Sequence, residues 1–93
     1  MEEFKMSVAH TIEVKLHEAF APSSLTVIDE SHLHAGHAGA RPQGESHFKV
    51  EIISEKFEGL SRVARQRAIY QVLADELATD IHALSLNVKS PTD

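Results

Sequence analysis

Apolar side chains recur at Val8, Ile12, Leu16, Ala19 and Phe20, steps of four, four and three that lie along one face of a helix. Ser7 stands where an N-cap is needed and Pro22 where a helix must stop, so the spacing predicts a helix over 7–20. The period then shortens. Leu25 and Val27 alternate with Thr26 and Ile28 in a stretch rich in β-branched residues, which predicts a strand over 25–30. Phe48, Val50 and Ile52 alternate with Lys49, Glu51 and Ile53 in a second strand. Ser61 is a good N-cap for a second helix of about 17 residues ending near Thr79. At 100° per residue its apolar stripe runs through Val63, Tyr70, Leu73, Ala74 and Leu77, with Ile69 at the edge. A third alternating run over 81–88 places His82, Leu84, Leu86 and Val88 on one face of a strand. Residues 90–93 read as a tail, and no repeat or low-complexity tract is present.

The order helix, strand, strand, helix, strand restricts the topology. Two strands joined directly are expected to pair antiparallel, and two joined through a helix to pair parallel by a right-handed crossover. The expected fold is α+β, a three-stranded mixed sheet with helices on one face and the other face open to water or a partner. In that arrangement the first strand ends, and the second and third begin, at one edge of the sheet. The segment 31–44 has neither helical nor strand period and carries Gly and Pro at intervals, so it is expected to be a loop. It is longer than the roughly 2–5 residues of an ordinary hairpin connection, which favours a functional role. Its position puts it on the same rim as His82.

Composition narrows the chemistry. A chain of 93 residues suffices for one small domain, with a core over about 7–90. With no cysteine it can form no disulfide and supply no thiol nucleophile, and it can hold neither a Cys-ligated zinc nor an iron–sulfur cluster on its own sulfurs. A formal charge of -5 argues against indiscriminate binding to phosphate backbones, which needs excess Lys and Arg. There is no stretch of about 20 apolar residues and no basic-then-apolar leader, so a soluble, cytoplasmic protein with no membrane partner is expected.

Histidine is the compositional oddity, with seven in the chain and His32, His34, His37 and His47 close together. Imidazole binds transition metals, so His82 and the loop histidines are candidates for one metal site. Two histidines do not close a four-ligand zinc site, but they supply half of a site shared between two proteins. A histidine opening a strand also commonly bonds nearby backbone, and the spacing of His32, His34 and His37 matches no closed-site pattern and suits solvated loop residues equally.

Arg62, Arg65 and Arg67, near Lys56, form a candidate contact for nucleic-acid phosphates or an acidic partner. Basic residues in a first helical turn oppose the helix dipole, so a counter-interaction is expected there. Arg67, beside the apolar stripe, is expected to pack its stem and pair its head with a carboxylate. Catalysis finds little support. In Ser46-His47, Ser31-His32 and Asp29-Glu30 the neighbours are expected to point to opposite faces of extended chain, so none makes a nucleophile–base or acid–base couple. Neither a phosphate loop nor GxGxxG occurs.

Several motifs together resemble the BolA family. They are Asp29-Glu30-Ser31 before a His-bearing glycine loop, Gly44-Glu45-Ser46-His47-Phe48-Lys49-Val50, Phe57-Glu58-Gly59, Arg65-Gln66-Arg67 with Ile69-Tyr70, and Ile81-His82-Ala83-Leu84-Ser85-Leu86. They span roughly residues 7–90 in family order and spacing. The resemblance implies a fold similar to a type II KH domain. It also implies a non-enzymatic partner of monothiol glutaredoxins in iron–sulfur trafficking or iron, redox and stress regulation. Such heterodimers hold a bridging 2Fe-2S cluster, with the glutaredoxin cysteine and a glutathione thiol on one iron. The BolA chain supplies a residue of the first inter-strand loop and the histidine opening the last strand. The matching positions are His34 and His82, with His37 or His32 as substitutes on the same loop. The family is also described as transcriptional regulators of stress response and cell shape, some with DNA binding proposed. Two departures stand out. The family's usual Arg-His-Arg is Arg65-Gln66-Arg67 here, and Glu58-Gly59-Leu60-Ser61 contains no Gly-x-x-Gly of the kind by which KH domains clamp nucleic acid.

Overall fold

The computed structural model describes residues 7–30 and 46–93. His32, His34, His37 and the segment expected to form the long loop lie outside them. Among the described residues, helix α1 (Val8–Phe20) starts at Ser7, whose hydroxyl accepts from the His10 N–H at 3.1 Å. It ends at Ala21, which adopts a left-handed conformation (φ 42°) and donates its N–H to the His17 carbonyl at 3.0 Å, with Pro22 next. Strands β1 (Ser24–Asp29) and β2 (His47–Ile53) pair antiparallel, and β2 pairs parallel with β3 (Ala83–Lys89), giving the order β1-β2-β3. The expected α+β mixed sheet is therefore observed, with strand ends displaced by one or two residues.

Alternation decides what each face does. Phe48, Val50 and Ile52 of β2 are buried, with Leu25, Val27, Leu84, Leu86 and Val88 beside them. Ile12, Leu16 and Phe20 of α1 meet this face, and the Phe20 and Phe57 rings pack in a tilted pair with centroids 4.8 Å apart. Thr26, Ser85 and Asn87 are exposed on the opposite face. The 3₁₀ turn Glu55–Phe57 follows β2 and buries Phe57 completely.

The second helical segment differs from its expectation in two ways. It is broken into α2 (Arg62–Val72) and α3 (Ala74–Thr79), with Leu73 at φ -100°, ψ 18° between them. The hydrogen-bond ladder runs through the break, since the Leu73 N–H reaches Ile69 O at 3.0 Å and the Leu77 N–H reaches Leu73 O at 2.9 Å. The buried stripe is also rotated. Ile69 and Leu73 are fully buried and Ala68, Val72 and Leu77 pack beside them, whereas Val63 and Tyr70 are 55% and 41% exposed and Ala74 is exposed. Arg65 explains the rotation. It occupies the inward row Arg65, Ile69, Leu73, Leu77, its side chain only 13% exposed, and a hydropathy pattern counts such a residue as outward.

Residues 90–93 are not a loose tail. Ser90 is 3% exposed, its hydroxyl donates to Asp93 Oδ1 at 2.6 Å, and its N–H donates to Asp93 Oδ2 at 3.2 Å. The Asp93 carboxylate pairs in turn with the Arg65 guanidinium, and Thr92 donates to Glu58.

Candidate functional site

The rim predicted from topology exists and is built from backbone first. Glu30, just past β1, donates its N–H to His47 O at 2.8 Å. The Ser46 carbonyl accepts from both His82 N–H (2.7 Å) and Ala83 N–H (3.2 Å). The point where the chain leaves β1, the point where it re-enters at β2 and the start of β3 are thus tied by main-chain bonds that hold whatever side chains are present.

On this frame the His47 and His82 rings lie 5.3 Å apart at 52°. His47 is 7% exposed and His82 is exposed, so the pair has one inner and one outer imidazole. His82 precedes β3 rather than lying within it, and its main-chain bond to Ser46 takes the place of strand pairing. A hollow of about 260 Å³ beside it is lined by Ser46, Asp80 and the end of α3. Among the described residues no three His, Asp or Glu side chains gather as a metal site. A metal at His82 would therefore need ligands from outside the described residues or from another molecule.

One expectation about the rim is overturned. Ser46 Oγ and His47 Nδ1 are 2.9 Å apart, although as strand neighbours they were expected to diverge. Ser46 occupies a bend before β2, so the pleat that separates adjacent side chains does not yet apply to it. The contact engages Nδ1, one of the two nitrogens of the ring. At 1% exposure the Ser46 hydroxyl is sealed from solvent, a placement suited to fixing the ring rather than to attacking a substrate. Sequence reasoning counted His47 in the histidine cluster but gave it no place in the site. Its signal was its position where the irregular segment gives way to β2.

The arginines separate. Arg65 turns inward, donating through Nε to Leu60 O (3.0 Å) and Nη1 to Val88 O (3.4 Å) and pairing with Asp93. This pair is the counter-interaction expected near the start of a helix, and it raises the guanidinium pKa. Arg65 first, then the Ser90 hydroxyl and N–H, hold the Asp93 carboxyl well below its ordinary value of 3.8. Arg62 and Arg67 stay exposed. Among the described residues no carboxylate pairs with Arg67, contrary to the expectation for its head group.

Comparison with known proteins places these features. A family profile described as BolA-like protein matches residues 16–93. The DNA-binding transcriptional regulator BolA of Escherichia coli is 46% identical over 88% of this chain and 74% of its own length. Protein BOLA1, chloroplastic, of Arabidopsis thaliana is 42% identical over 91% of this chain, which spans 54% of that longer protein. The solved BolA domain of SufE1 from Arabidopsis thaliana superimposes with a TM-score of 0.84 at 42% identity, covering 96% of this chain and 98% of that one. The match extends over sequence and fold together, and the chain belongs to the BolA family.

Proposed function

We propose that this chain is a non-enzymatic BolA-like adaptor that binds a monothiol glutaredoxin and co-ligates a bridging 2Fe-2S cluster as cargo. His82 is its first ligand, and His34 the second, with His37 the substitute on the same segment. The observation that supports this reading best is the exposed imidazole of His82, pinned by main-chain bonds to the rim where the chain leaves β1 and returns to β2. A cluster with mixed imidazole and thiolate ligation is tuned in potential by its nitrogen ligands and needs sulfur donors that this chain lacks. The glutaredoxin cysteine and glutathione would supply them. Ser46 and His47 then act as positioning residues, holding the backbone and ring against which His82 is set. The wider setting is iron–sulfur trafficking or iron, redox and stress regulation. Relatives include a chloroplastic protein, so the family sets no single compartment, and the cytoplasmic location is part of this proposal; no described helix is long and apolar enough to cross a membrane.

The test mixes the chain with a monothiol glutaredoxin carrying a glutathione-ligated 2Fe-2S cluster, and follows visible circular dichroism with size-exclusion chromatography. A new spectrum on a one-to-one heterodimer is expected, altered by His82→Ala. An unchanged spectrum in that variant removes the ligand assignment, and no association with or without cluster removes the adaptor role.

A second reading is DNA binding, favoured by the Escherichia coli relative, a DNA-binding transcriptional regulator, and by the exposed Arg62 and Arg67. Its mark is duplex binding that weakens steeply with salt and is lost in Arg62→Gln/Arg67→Gln. Salt-independent or undetectable binding rejects it.

A further inference from the structure

Among the described residues strand β3 has a partner on one side only, and hydrogen-bond parity shows which groups it leaves over. The Ala83 N–H donates to Ser46 O and the Lys89 carbonyl accepts from the Ser54 N–H, both across the β2 side. Residues 83, 85, 87 and 89 therefore turn their main-chain groups toward β2, and Leu84, Leu86 and Val88 turn theirs outward. The Val88 carbonyl is occupied, since Arg65 Nη1 reaches it at 3.4 Å. Leu84 and Leu86 present both a donor and an acceptor on this edge.

A groove of about 530 Å³ runs beside the second half of β3, bounded by α2 across from it. Its walls carry Arg62, Gln66 and Lys89, and Arg65 paired with Asp93 forms part of its lining. Among the described residues neither Arg62 nor Lys89 has a carboxylate within ion-pair distance, so two cations flank an unpaired strand edge in a chain that is acidic overall. We propose that this edge and groove are a docking site for an acidic peptide segment, which adds to the sheet as a fourth strand beside β3. Charge and hydrogen bonding agree on this occupant. Two free cations select carboxylates. The edge offers donors and acceptors alternately at about 6.6 Å, two residues of strand, which an extended peptide matches and a phosphate chain, having acceptors only, does not. The groove flanks the end of β3 remote from His82, so the site is separate from the rim and does not rest on the adaptor reading.

The experiment titrates the isotopically labelled full chain with the blocked peptide acetyl-Glu-Val-Glu-Val-Glu-amide and reads amide shifts and hydrogen exchange. Three controls accompany it: the same peptide N-methylated at both valines, its Lys-for-Glu counterpart, and a single-stranded oligonucleotide of similar charge. Expected are shifts centred on Leu86 and Val88, slowed exchange at their amides, and loss of binding on N-methylation. Arg62→Gln/Lys89→Gln, both exposed positions, should keep the far-ultraviolet spectrum and weaken binding about two- to tenfold. The proposal is overturned by shifts confined to the His82 rim or the open sheet face, by equal binding of the N-methylated or Lys peptide, by preference for the oligonucleotide, or by no binding. In that last case Arg62 and Lys89 serve only to keep the edge from pairing.

Discussion

Ser46 and His47 show how much of a site a single bend decides. As strand neighbours they would face apart, yet the bend at Ser46 brings its hydroxyl to His47 Nδ1 at 2.9 Å. Both are nearly sealed from water, so their contact is not exchanged with solvent. His47→Ala removes the bond and opens a void beside His82. It should cost about 1–3 kcal/mol in urea unfolding and shift the His82 and Ala83 amide resonances; a change below about 0.5 kcal/mol would mean the contact carries little. Asp93 gives a pH prediction with a definite sign. Its folded carboxyl titrates below the ordinary value of 3.8, so the ionised form is favoured by folding. The stabilisation is fully present above that ordinary value and is lost as pH falls toward the depressed one. Native protein should exceed Asp93→Asn in stability near neutrality, the gap closing progressively below about pH 4. A gap independent of pH would show that Asp93 acts by packing alone. Neither contact was legible in the sequence, because each depends on where a short irregular stretch turns.

Helices and strands were more legible, in proportion to how much of their pattern is local. Helix α1 matched in start, stop and buried face, since Ser7, Pro22 and the four-residue steps all act within the helix. Ser7→Ala should lower stability by about 1 kcal/mol through the lost bond to the His10 N–H. In α2 the period was right and the phase wrong. Val63 and Tyr70 were expected inward because they are apolar, but Arg65 takes the inward row by covering its stem and satisfying its head at Leu60, Val88 and Asp93. The two phases predict opposite outcomes. Ile69→Ala should cost about 2–5 kcal/mol and Val63→Ala less than about 0.5 kcal/mol, measured by denaturant unfolding. The reverse order would restore the stripe read from hydropathy.

Across the whole molecule the structure sets two candidate surfaces at opposite ends of β3. The His47–His82 rim lies where β2 and β3 begin, and the cationic groove flanks residues 86–89. From His82 to Lys89 the chain runs about 23 Å, beyond the range at which substitutions at the two ends usually couple. His82→Ala should therefore alter cluster spectra and leave acidic-peptide affinity unchanged, with the converse for Arg62→Gln/Lys89→Gln. Appreciable cross-effects would mean that one surface serves one partner. What the sequence by itself determined was the element order, the antiparallel and parallel pairings and the shared rim, because periodicity and crossover handedness are local rules that propagate to topology, and the family, through its motifs. What only the tertiary structure decided was the phase of α2, the folding back of 90–93 onto Arg65, the place of His47 beside His82 and the open edge of β3. Each depends on which distant group arrives to satisfy a polar atom, and that is settled when the elements pack.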